Sequence, residues 1–357
     1  MEIFELMKAN QQEQIAFYSD KSVKLRAILS IHSTSLGPAI GGTRFMKYKN
    51  EGDAVFDLIR LSKAMTYKAA AGGLNFGGGQ IVIIDNATTP CEALFRSLGR
   101  FIESFKGRFI AAEDIGITES NMEMMRMETR YVTGLPYYYG GSGDHSLACA
   151  YSTLMGLLAA AEYTWQTNKL ENRKIMIQGY GRVGQKLAQF LKEQGADVFI
   201  SDIEPEKVEK ARENGFDIVD PLKIYQEKCD IFAPCAVGGI INPQTIKKFK
   251  CRIIAGSANN QLLNTGDDQL LSQKGIVYAP DFIINVGGLI DVAEEYLGYK
   301  KEKVKHKTEN VFNTTLTVLK DAEKKNISSE QSALLYAKNR IESIKNIRGM
   351  FLGKGQI

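Results

Sequence analysis

The chain has 357 residues, enough for two domains, and its 44% hydrophobic and 24% charged residues are ordinary for a globular protein. The net charge of only +4, without a basic run interleaved with aromatic residues, argues against a nucleic-acid partner. The acidic amphipathic start of the chain, and the lack of an apolar run near the ~18 residues that span a bilayer, argue against a secretory signal and a membrane anchor.

Cysteine and histidine usage narrows the chemistry. The five cysteines show no CxxC spacing, and an odd number in a chain of this size predicts reduced thiols and a cytoplasmic location. The three histidines, His32, His145 and His306, have no metal-like spacing. We therefore expect neither a metal site nor a nucleophile that depends on histidine, and the chemistry must come from other residues.

The first predicted elements are a strand, a loop and a helix. Residues 24–33 alternate well enough between apolar and polar side chains to predict a strand. Residues 36–44 are rich in glycine, which predicts a loop whose backbone comes close to another group. Residues 53–71 repeat apolar side chains every three or four positions, which predicts a helix with Asn50 or Asp53 as its cap.

Two segments that follow combine glycine with an apolar strand. Gly77–Gly79 precede a predicted strand over residues 81–85, and the entropic cost of three glycines indicates that something needs a close approach there. Residues 108–116 form an apolar strand that ends in a carboxylate pair beside a glycine. Both segments are therefore candidate parts of a site.

Lys68 and Asp114 are the candidate charged residues of this region, and each also has a simple structural interpretation. Lys68, near the end of the predicted helix, could be a solvated surface charge. Asp114 could cap a helix that starts near Thr118. Residue spacing alone leaves these alternatives open.

A turn-rich segment at residues 140–144 divides the chain, and we place the domain boundary at its start. The apolar residues 146–165 that follow predict a helix that links the two domains. No internal repeat or low-complexity segment is visible.

Residues 174–202 carry the most informative motif: an apolar run, a glycine-rich turn, an amphipathic segment and a second apolar run that ends in an acid. This order predicts a strand, a tight turn, a helix and a second strand. Gly179 permits the tight turn, Gly181 lets the backbone approach a pyrophosphate, and Gly184 lets the helix pack closely on the sheet. The N-terminus of the helix would present free N–H groups to the phosphates.

Asp202 distinguishes between the two nicotinamide dinucleotides. It lies ~20 residues beyond the glycines, where a carboxylate accepts hydrogen bonds from a ribose diol and repels a 2′-phosphate. No arginine follows it to bind that phosphate, so we predict NAD as the cofactor; a turn that binds nothing is the alternative. The residues predicted to form the dinucleotide site are Gly179, Tyr180, Gly181, Arg182, Val183, Gly184, Asp202 and Ile203.

Three further apolar strands, over residues 229–234, 252–257 and 275–280, continue the α/β pattern. Their ends should line up along the carboxyl edge of one parallel sheet, where ligands bind in open α/β folds.

The end of the chain is predicted to be helical. The charge run at residues 300–306 predicts a solvated helix face. Two helices are expected over residues 302–325 and 328–348, the second with Ser328 or Ser329 as its cap. The tail from residue 349 is expected to be frayed or to lie at a subunit contact.

Six collinear segments carry a wider resemblance. They are the surroundings of Lys68, Gly77–Gly79, Ala112–Gly116, Ile231–Ala236, Ile254–Gln261 and Pro280–Gly288. Together they resemble the glutamate/leucine/phenylalanine/valine dehydrogenase superfamily along nearly the whole chain, and most of all its leucine dehydrogenase-like branch, which includes phenylalanine and tryptophan dehydrogenases.

The resemblance implies an α/β protein of two domains around a cleft. A Rossmann-type NAD-binding domain would span residues 141–329, and a discontinuous substrate-binding and oligomerisation domain would span residues 1–140 and 330–357. Members of the family assemble as homo-oligomers through the first domain, so a homo-oligomer is expected, with an amino acid or 2-oxo acid as the small-molecule ligand.

The family deaminates an L-amino acid to its 2-oxo acid and passes a hydride to NAD. By this resemblance, Lys68 would hold the substrate carboxylate and Asp114 would handle protons at the amine. A lysine directly after the three glycines would be the main catalytic acid and base, but this chain has Gln80 there.

Because of Gln80, the resemblance does not imply the full catalytic activity of the family for this chain. A buried lysine has its pKa lowered from ~10.4 toward neutrality and can exchange a proton, whereas an amide cannot. General acid–base catalysis contributes typically ~10²–10⁴-fold, and a loss of that order is expected. Gln80 could still donate a hydrogen bond to a carbonyl oxygen, and hydride transfer to a preformed imine would suffer less.

The resemblance also implies cofactor contacts in the second half of the chain. Cys149 stands where the family has a threonine or serine that bonds the nicotinamide amide; a thiol bonds more weakly, and free cysteine is commonly a small buried residue. Asn260 would touch substrate and nicotinamide, and Asn285 would lie near the nicotinamide ribose. The remaining implied contacts are Cys235, Ala236 and Ala258.

The implied substrate pocket is apolar. Ile40 stands near the position where glutamate dehydrogenases have a lysine for the distal carboxylate, and an apolar residue cannot pair that charge. A leucine-, valine- or phenylalanine-like amino acid is therefore expected, although the apolar residues concerned are also ordinary core residues. The predicted substrate-binding residues are Lys68, Gly41, Gly42, Ile40, Ala112, Asn260, Leu289 and Val292.

Two functional hypotheses of different class follow. The first is a working NAD-dependent oxidoreductase that tolerates Gln80, either with Asp114 as proton donor or on an altered substrate. The second is a catalytically silenced relative that keeps the cofactor and ligand cleft for regulation, assembly or another reaction. Gln80 could also be a change made to trap a complex, but Cys149, as a second departure, favours a site that drifted naturally.

Overall fold

The computed structural model describes residues 2–84 and 90–347, which form two β-sheets and the helices that pack on them. The strands of the first sheet are β1 (Gln14–Asp20), β2 (Leu25–Ser33), β3 (Ala39–Met46), β4 (Gly77–Ile84) and β5 (Phe109–Glu113). The strands of the second sheet are β6 (Lys174–Gln178), β7 (Asp197–Ser201), β8 (Asp217–Ile218), β9 (Ile231–Pro234), β10 (Ile253–Ile254) and β11 (Val277–Tyr278).

The helices divide in the same way between the two halves of the chain. The first half contains α1 (Ile3–Asn10), α2 (Glu51–Ala71), α3 (Glu92–Glu103), α4 (Glu119–Arg126) and a 3₁₀ turn at Tyr137–Tyr139. The second half contains α5 (Ser146–Trp165), α6 (Arg182–Glu193), α7 (Pro205–Glu213), α8 (Pro243–Ile246), α9 (Asp267–Gln273), α10 (Asp281–Ile284), α11 (Gly287–Tyr296), α12 (Lys301–Glu309), α13 (Val311–Lys325) and α14 (Ser329–Lys345). Within the described ranges, none of these helices is long and apolar enough to cross a membrane.

The first sheet is mixed, with the strand order β1-β2-β4-β3-β5. Strands β1, β2 and β4 pair antiparallel, whereas β4, β3 and β5 pair parallel. The register places Gly42 of β3 opposite Ala112 of β5. Because β5 ends one residue later, the middle of β3 lies at the same level as the carboxyl end of β5.

The prediction of a loop over residues 36–44 was wrong, because residues from Ala39 onward form β3. Its glycines bring the neighbouring strand close: an ideal Cβ on Gly41 would lie 1.8 Å from the carbonyl oxygen of Gly79. The strand predicted from residue 81 likewise begins earlier, at residue 77. The low strand propensity of glycine had suggested a loop. In the structure, the glycines of β3 and β4 instead allow neighbouring backbones to pack closely.

The close approach expected at the three glycines is made by the protein itself. Helix α2 lies directly on β4, and an ideal Cβ on Gly78 would be 2.1 Å from the backbone nitrogen of Thr66. Any side chain at this position would push the helix away from the sheet. Because α2 carries Lys68, these glycines determine how close that lysine lies to the strands.

The second sheet is entirely parallel, with the order β11-β10-β9-β6-β7-β8. The chain moves outward from β6 in one direction through β7 and then returns to the other side of β6 at β9. The carboxyl ends of β6 and β9 therefore flank a topological switch point, where open α/β sheets bind ligands. The three late strands predicted from the sequence are confirmed, with shorter bounds.

Most predicted helices are confirmed. Helix α2 begins after Asn50, whose side chain accepts a hydrogen bond from the Asp53 N–H at 2.9 Å, and α14 begins after Ser328, which caps it. The single helix predicted over residues 302–325 is wrong, because it is divided into α12 and α13 at Asn310. The Thr308 hydroxyl donates to two carbonyls of the preceding turn, and such bonds bend helices.

The last helix returns to the first half of the chain, as the family resemblance implies. Arg340 of α14 donates to the carbonyl oxygens of Leu74 at 2.7 Å and Ala70 at 3.4 Å, and to the side chain of Asn75 at 2.9 Å. The domain limits themselves stay a prediction. Asp85, at the end of one predicted strand, and the tail from residue 349 lie outside the described residues.

We expect Gly78→Ala to lower the free energy of unfolding by about 1–3 kcal/mol or more, because its methyl group overlaps the α2 backbone. Gly181→Ala is the matched control, since an ideal Cβ there has no atom within 4 Å and φ is −76°. It should change stability by less than about 1 kcal/mol. Urea unfolding of both variants checks this, and equal losses would contradict the role assigned to Gly78.

Candidate active site

A cavity of about 510 Å³ lies between the two sheets, at the carboxyl edge of the second. Both halves of the chain contribute to its wall. The first half supplies Gly42, Arg44, Met65, Lys68, Gln80, Ala112, Glu113 and Asp114, among others. The second supplies His145, Cys149, Gly181, Arg182, Val183, Cys235, Ala236, Ala258, Asn259, Asn260, Asp281, Asn285, Leu289 and Val292, among others.

Gln80 lies on β4 with only 2% of its surface exposed. Its side-chain oxygen accepts a hydrogen bond from the Gly42 N–H at 3.0 Å. Its side-chain nitrogen donates to Oδ2 of Asp114 at 2.7 Å. Both ends of the amide are therefore fixed by neighbours that require opposite hydrogen-bonding roles.

Asp114 is held by more than Gln80. Arg44 of β3 donates to it from Nε at 2.9 Å and from Nη2 at 3.3 Å. Burial alone would lower the pKa of the Arg44 guanidinium, but the adjacent carboxylates of Asp114 and Asp57 outweigh it and raise that pKa. The interpretation of Asp114 as a helix cap is wrong, because Thr118 caps α4.

Lys68 lies in the last turn of α2 and faces the cavity. The interpretation of Lys68 as a solvated surface charge therefore does not hold. Its Nζ donates to Oδ1 of Asn259 at 3.3 Å, and that oxygen also accepts from Nδ2 of Asn285 at 2.8 Å. Burial lowers the pKa of Lys68. The nearby acidic groups of Cys149, Asp281 and Asp114 act in the opposite direction but do not cancel this effect. A cation here would attract a carboxylate from a ligand.

The glycine-rich turn has the geometry that the sequence predicted. Gly179 has φ of +103°, and an ideal Cβ on it would lie 2.8 Å from Cβ of Ala236 on the neighbouring strand end. An ideal Cβ on Gly184 would lie 2.1 Å from the Gly179 carbonyl oxygen, so only glycine lets α6 start this close to the sheet.

Asp202 lies beside this turn at the end of β7. Its Oδ2 accepts from the Tyr180 N–H at 2.7 Å, and its Oδ1 accepts from the Glu204 N–H at 2.9 Å. These two bonds fix the carboxylate at the carboxyl end of β7, next to the glycine-rich turn. The Tyr180 side chain, which the sequence placed in the cofactor site, is instead buried in the core, where its hydroxyl accepts from Asn214.

Several features fit a nicotinamide dinucleotide. Open space surrounds Gly181 at the start of α6, where the N-terminal N–H groups of the helix favour phosphate. In the cavity, Oδ1 of Asn285 is buried and has no partner among the described residues. Cys149 lies next to it, with Sγ 3.7 Å from the Asn285 carbonyl oxygen. The residues present therefore fit the group that the motif predicted.

An apolar wall completes the cavity. Ala112, Leu289 and Val292 line it together with Met65, as part of one hydrophobic cluster. Two predicted substrate-binding residues do not reach this wall. Ile40 is fully buried behind it, and Gly41 is covered by β4, because both lie in the middle of the sheet.

The sequence analysis missed several cavity residues, among them Arg44, Asn259, Glu113 and His145. Asn259 directly precedes Asn260, and Arg44 lies two residues after Gly42; this proximity in sequence was the available signal. Glu113 has its pKa raised to about 7 by burial, against the opposing charge of Arg182. His145 was excluded from a role by spacing, yet it lines the cavity and its Nδ1 is buried without a partner among the described residues.

A parallel sheet with a glycine-rich turn, facing a wall that carries a lysine and an acid, is typical of two-domain dehydrogenases that act on amino acids. The chain matches "Glu/Leu/Phe/Val dehydrogenase, dimerisation domain" over residues 11–131 and "Glutamate/Leucine/Phenylalanine/Valine dehydrogenase" over residues 200–349. Residues 175–220 also match the TrkA-N domain. The chain therefore belongs to the Glu/Leu/Phe/Val dehydrogenase family, which confirms the resemblance.

Individual relatives cover the whole fold. A leucine dehydrogenase of Thermoactinomyces intermedius is 45% identical over 354 residues, 99% of this chain and 97% of the relative. A phenylalanine dehydrogenase of Caldalkalibacillus thermarum is 39% identical over 96% of this chain and 94% of the relative. The crystal structure of L-tryptophan dehydrogenase from Nostoc punctiforme superposes with a TM-score of 0.85 at 40% identity, covering 96% of this chain and 100% of the other.

Glu113 gives a pH-dependent prediction. Because burial raises its pKa from 4.5 to about 7, the folded protein keeps a proton that the unfolded chain has released. Glu113 therefore makes its full contribution to the free energy of unfolding below pH 4.5. This contribution is lost as the pH rises to about 7. Between pH 5 and 7 the wild type should therefore lose more stability than Glu113→Gln.

Urea unfolding at pH 5, 6, 7 and 8 measures this difference. Glu92→Gln, at an exposed position on α3, is the control and should follow the wild type. Parallel pH profiles for the wild type and Glu113→Gln would show that Glu113 ionises as in the unfolded chain.

Proposed function

We propose that this protein is an NAD-dependent oxidoreductase that acts at the carbon–nitrogen centre of an apolar L-amino acid and interconverts it with the corresponding oxidised acid. The observation that carries the proposal is the cavity itself. It brings Lys68, Asp114 and Gln80 of the first half opposite the dinucleotide turn of the second half. Relatives named as leucine, phenylalanine and tryptophan dehydrogenases support an apolar substrate.

The charged groups suit the two polar ends of an amino acid. The Lys68 ammonium would bind the substrate carboxylate, since its hydrogen-bond acceptor within the described part of the chain is the neutral amide oxygen of Asn259. The Asp114 carboxylate would face the substrate nitrogen, which is cationic as an amine or iminium. The side chain would then pack on the wall of Ala112, Leu289 and Val292.

The dinucleotide would be held by the turn and by the carboxyl edge of the second sheet. When bound, its nicotinamide supplies or accepts the hydride. The turn from Gly179 to Gly184 would bind the pyrophosphate, and Asp202 would accept hydrogen bonds from the ribose. Asn285, with its unpartnered Oδ1, would contact the nicotinamide end together with Cys149. Cys235, Ala236, Ala258 and Asn260 would surround it, and the exposed Ile203 would flank the adenine end.

Gln80 supports a second candidate function. Its amide is engaged at both ends and offers no exchangeable proton at the position where relatives would use a lysine. A relative that binds both ligands but does not deaminate an open-chain amino acid is therefore consistent with the same geometry. The binding groups of the cavity are the same in the two candidates, and only proton exchange separates them.

Assembly and location follow as proposals. The strand β1 is an edge strand of the first sheet and exposes 57% of Phe17, which suits a homo-oligomer formed through the first domain. The cytoplasmic location expected from the unpaired thiols stays a prediction.

We expect Gln80→Lys to raise NADH formation from L-leucine, L-valine or L-phenylalanine by ~10²–10⁴-fold at alkaline pH, because it supplies a titratable group beside Asp114. Gln80→Met is the matched control: it has similar size, no exchangeable proton, and should not raise the rate. Absorbance of NADH measures all three proteins. A wild-type rate equal to that of Gln80→Lys would show that position 80 does not limit turnover.

Cofactor choice depends on the charge of Asp202. Asp202→Asn keeps an oxygen that can accept from the Tyr180 N–H but removes the repulsion of a 2′-phosphate. We expect the ratio of NADPH to NADH affinity to rise at least about tenfold, which corresponds to ~1.4 kcal/mol. Fluorescence titration with each reduced dinucleotide measures this, with Glu204→Gln as the control for a neighbouring charge.

A further inference from the structure

We propose that the substrate reduced in this cavity is a preformed imino acid, and in particular a cyclic 2-imino acid whose ring nitrogen is protonated. This inference rests on the proposed function and narrows its substrate class. An open-chain 2-oxo acid with free ammonia would be the poorer substrate.

Reductive amination of a 2-oxo acid contains two different tasks. Ammonia must first add to the carbonyl carbon and water must leave, which moves protons several times between nitrogen, oxygen and the protein. A hydride must then add to the resulting iminium carbon. The second task needs only a bound cofactor, a carboxylate anchor and an environment that tolerates a cationic nitrogen.

The groups nearest the proposed reaction centre are not free to move protons. The Gln80 amide does not titrate near neutral pH, and it is held between Gly42 and Asp114. The Asp114 carboxylate receives three N–H donors, two from Arg44 and one from Gln80. Arg44 is in turn paired with Asp57 at 2.9 Å. Both carboxylate oxygens of Asp114 are thus already engaged by donors from the protein, which hold the side chain in one orientation.

Three other titratable residues of the cavity are engaged elsewhere. Lys68 donates to Asn259 and is required for the substrate carboxylate. Asp281 accepts from the Gln261 N–H at 2.8 Å, and the Cys149 thiol lies against the Asn285 carbonyl oxygen. None of these groups replaces a lysine beside Asp114.

Glu113, His145 and Cys235 also line the described part of the cavity. Burial raises the pKa of the Cys235 thiol, which bonds Ser257, to about 11, so Glu113 and His145 are the remaining candidates. Successive strand residues point to opposite faces, so Glu113 turns away from the apolar pocket that Ala112 lines, and its Cγ lies 3.2 Å from an ideal Cβ on Gly134. His145 lies at the start of α5, with charged neighbours on the dinucleotide side, such as Arg182. Both groups line the cavity but have no hydrogen bond to Asp114 among the described residues, and substitutions of both therefore enter the test.

The groups that remain are complementary to an iminium acid. Lys68 matches its carboxylate, and the oriented carboxylate of Asp114 matches its cationic nitrogen. The wall of Ala112, Leu289 and Val292 matches the methylene groups of a ring. Gly42 has no side chain, so the cavity stays open beside Asp114, where the ring would close onto nitrogen.

The step balances without a protein acid. The iminium carbon gains a hydride from the reduced nicotinamide, and the π electron pair of the C=N bond becomes the lone pair on nitrogen. The nicotinamide is oxidised by two electrons and the imine is reduced by two. The nitrogen already carries its proton on entry, and the product amine takes up a further proton from water after release.

The test compares two substrates on two proteins. Wild type and Gln80→Lys are each supplied with NADH and either the six-membered cyclic imine 1-piperideine-2-carboxylate or 4-methyl-2-oxopentanoate with ammonia. For the wild type we expect the cyclic imine to be reduced at least ~100-fold faster, the lower bound of the acid–base contribution. For Gln80→Lys we expect this ratio to shrink, because the 2-oxo acid route gains a proton carrier.

A binding measurement gives a readout besides turnover. Calorimetry with the cyclic imine and NAD should show loss of affinity in Asp114→Asn, which removes the charge opposite the nitrogen but keeps the shape. The same substitution should change the affinity for 4-methyl-2-oxopentanoate, which has no cationic nitrogen, much less. Equal losses for both ligands would overturn the assignment of Asp114 to the cation.

The outcomes separate the inference from the proposed function. If Gln80→Lys aminates the 2-oxo acid while the wild type leaves the cyclic imine unchanged, the inference fails and the proposed function stands. If neither protein binds NADH or reacts with either substrate, both fail. If the wild type aminates the 2-oxo acid as fast as it reduces the imine, and Glu113→Gln or His145→Asn abolishes this, another residue carries the proton and the inference is overturned.

Discussion

The carboxylate of Asp114 is the interaction on which the first wall of the cavity depends. It receives donors from Arg44 on β3 and from Gln80 on β4, while Asp114 itself follows β5, so one side chain ties three neighbouring strands together. Arg44 extends the same network to Asp57 on α2. Charge-assisted bonds of this kind are strong in a partly buried setting, and removing Asp114 would leave the side-chain nitrogen of Gln80 and two donors of Arg44 without their acceptor. The position of the wall and the charge of the site are therefore set by the same contacts.

The second constraint acts across the cleft. Lys68 on α2 bonds Asn259 in the second half of the chain, and Asn259 also accepts from Asn285. Below this polar chain, Leu289 and Val292 of α11 pack in one hydrophobic cluster with Ala112 of β5. The two walls of the cavity are thus held together by one short polar chain and one shared apolar core. Any change in the angle between the two sheets would alter both together.

In the proposed function, the cavity keeps the groups needed for binding but has no titratable side chain at position 80. Binding a carboxylate, a cationic nitrogen and an apolar side chain requires charges and apolar surface, which Lys68, Asp114 and the α11 wall would supply. Moving protons requires a group whose pKa lies near the working pH, and an amide has none. A substitution at one position can therefore separate recognition from acid–base chemistry while the fold and the remaining hydrogen bonds are preserved.

The sequence by itself determined the features that depend on local pattern: the two-domain α/β class, the glycine-rich turn with Asp202, the long helices and the departure at Gln80. It could not distinguish glycines that shape a loop from glycines that let elements pack, so residues 39–44 of β3 were misassigned and Ile40 was placed on the cavity wall. It also missed Arg44, Asn259, Glu113 and His145. Their roles depend on which residues from distant parts of the chain become neighbours, and that is decided only when α2, β3, β4 and β5 pack together and the second sheet closes over them.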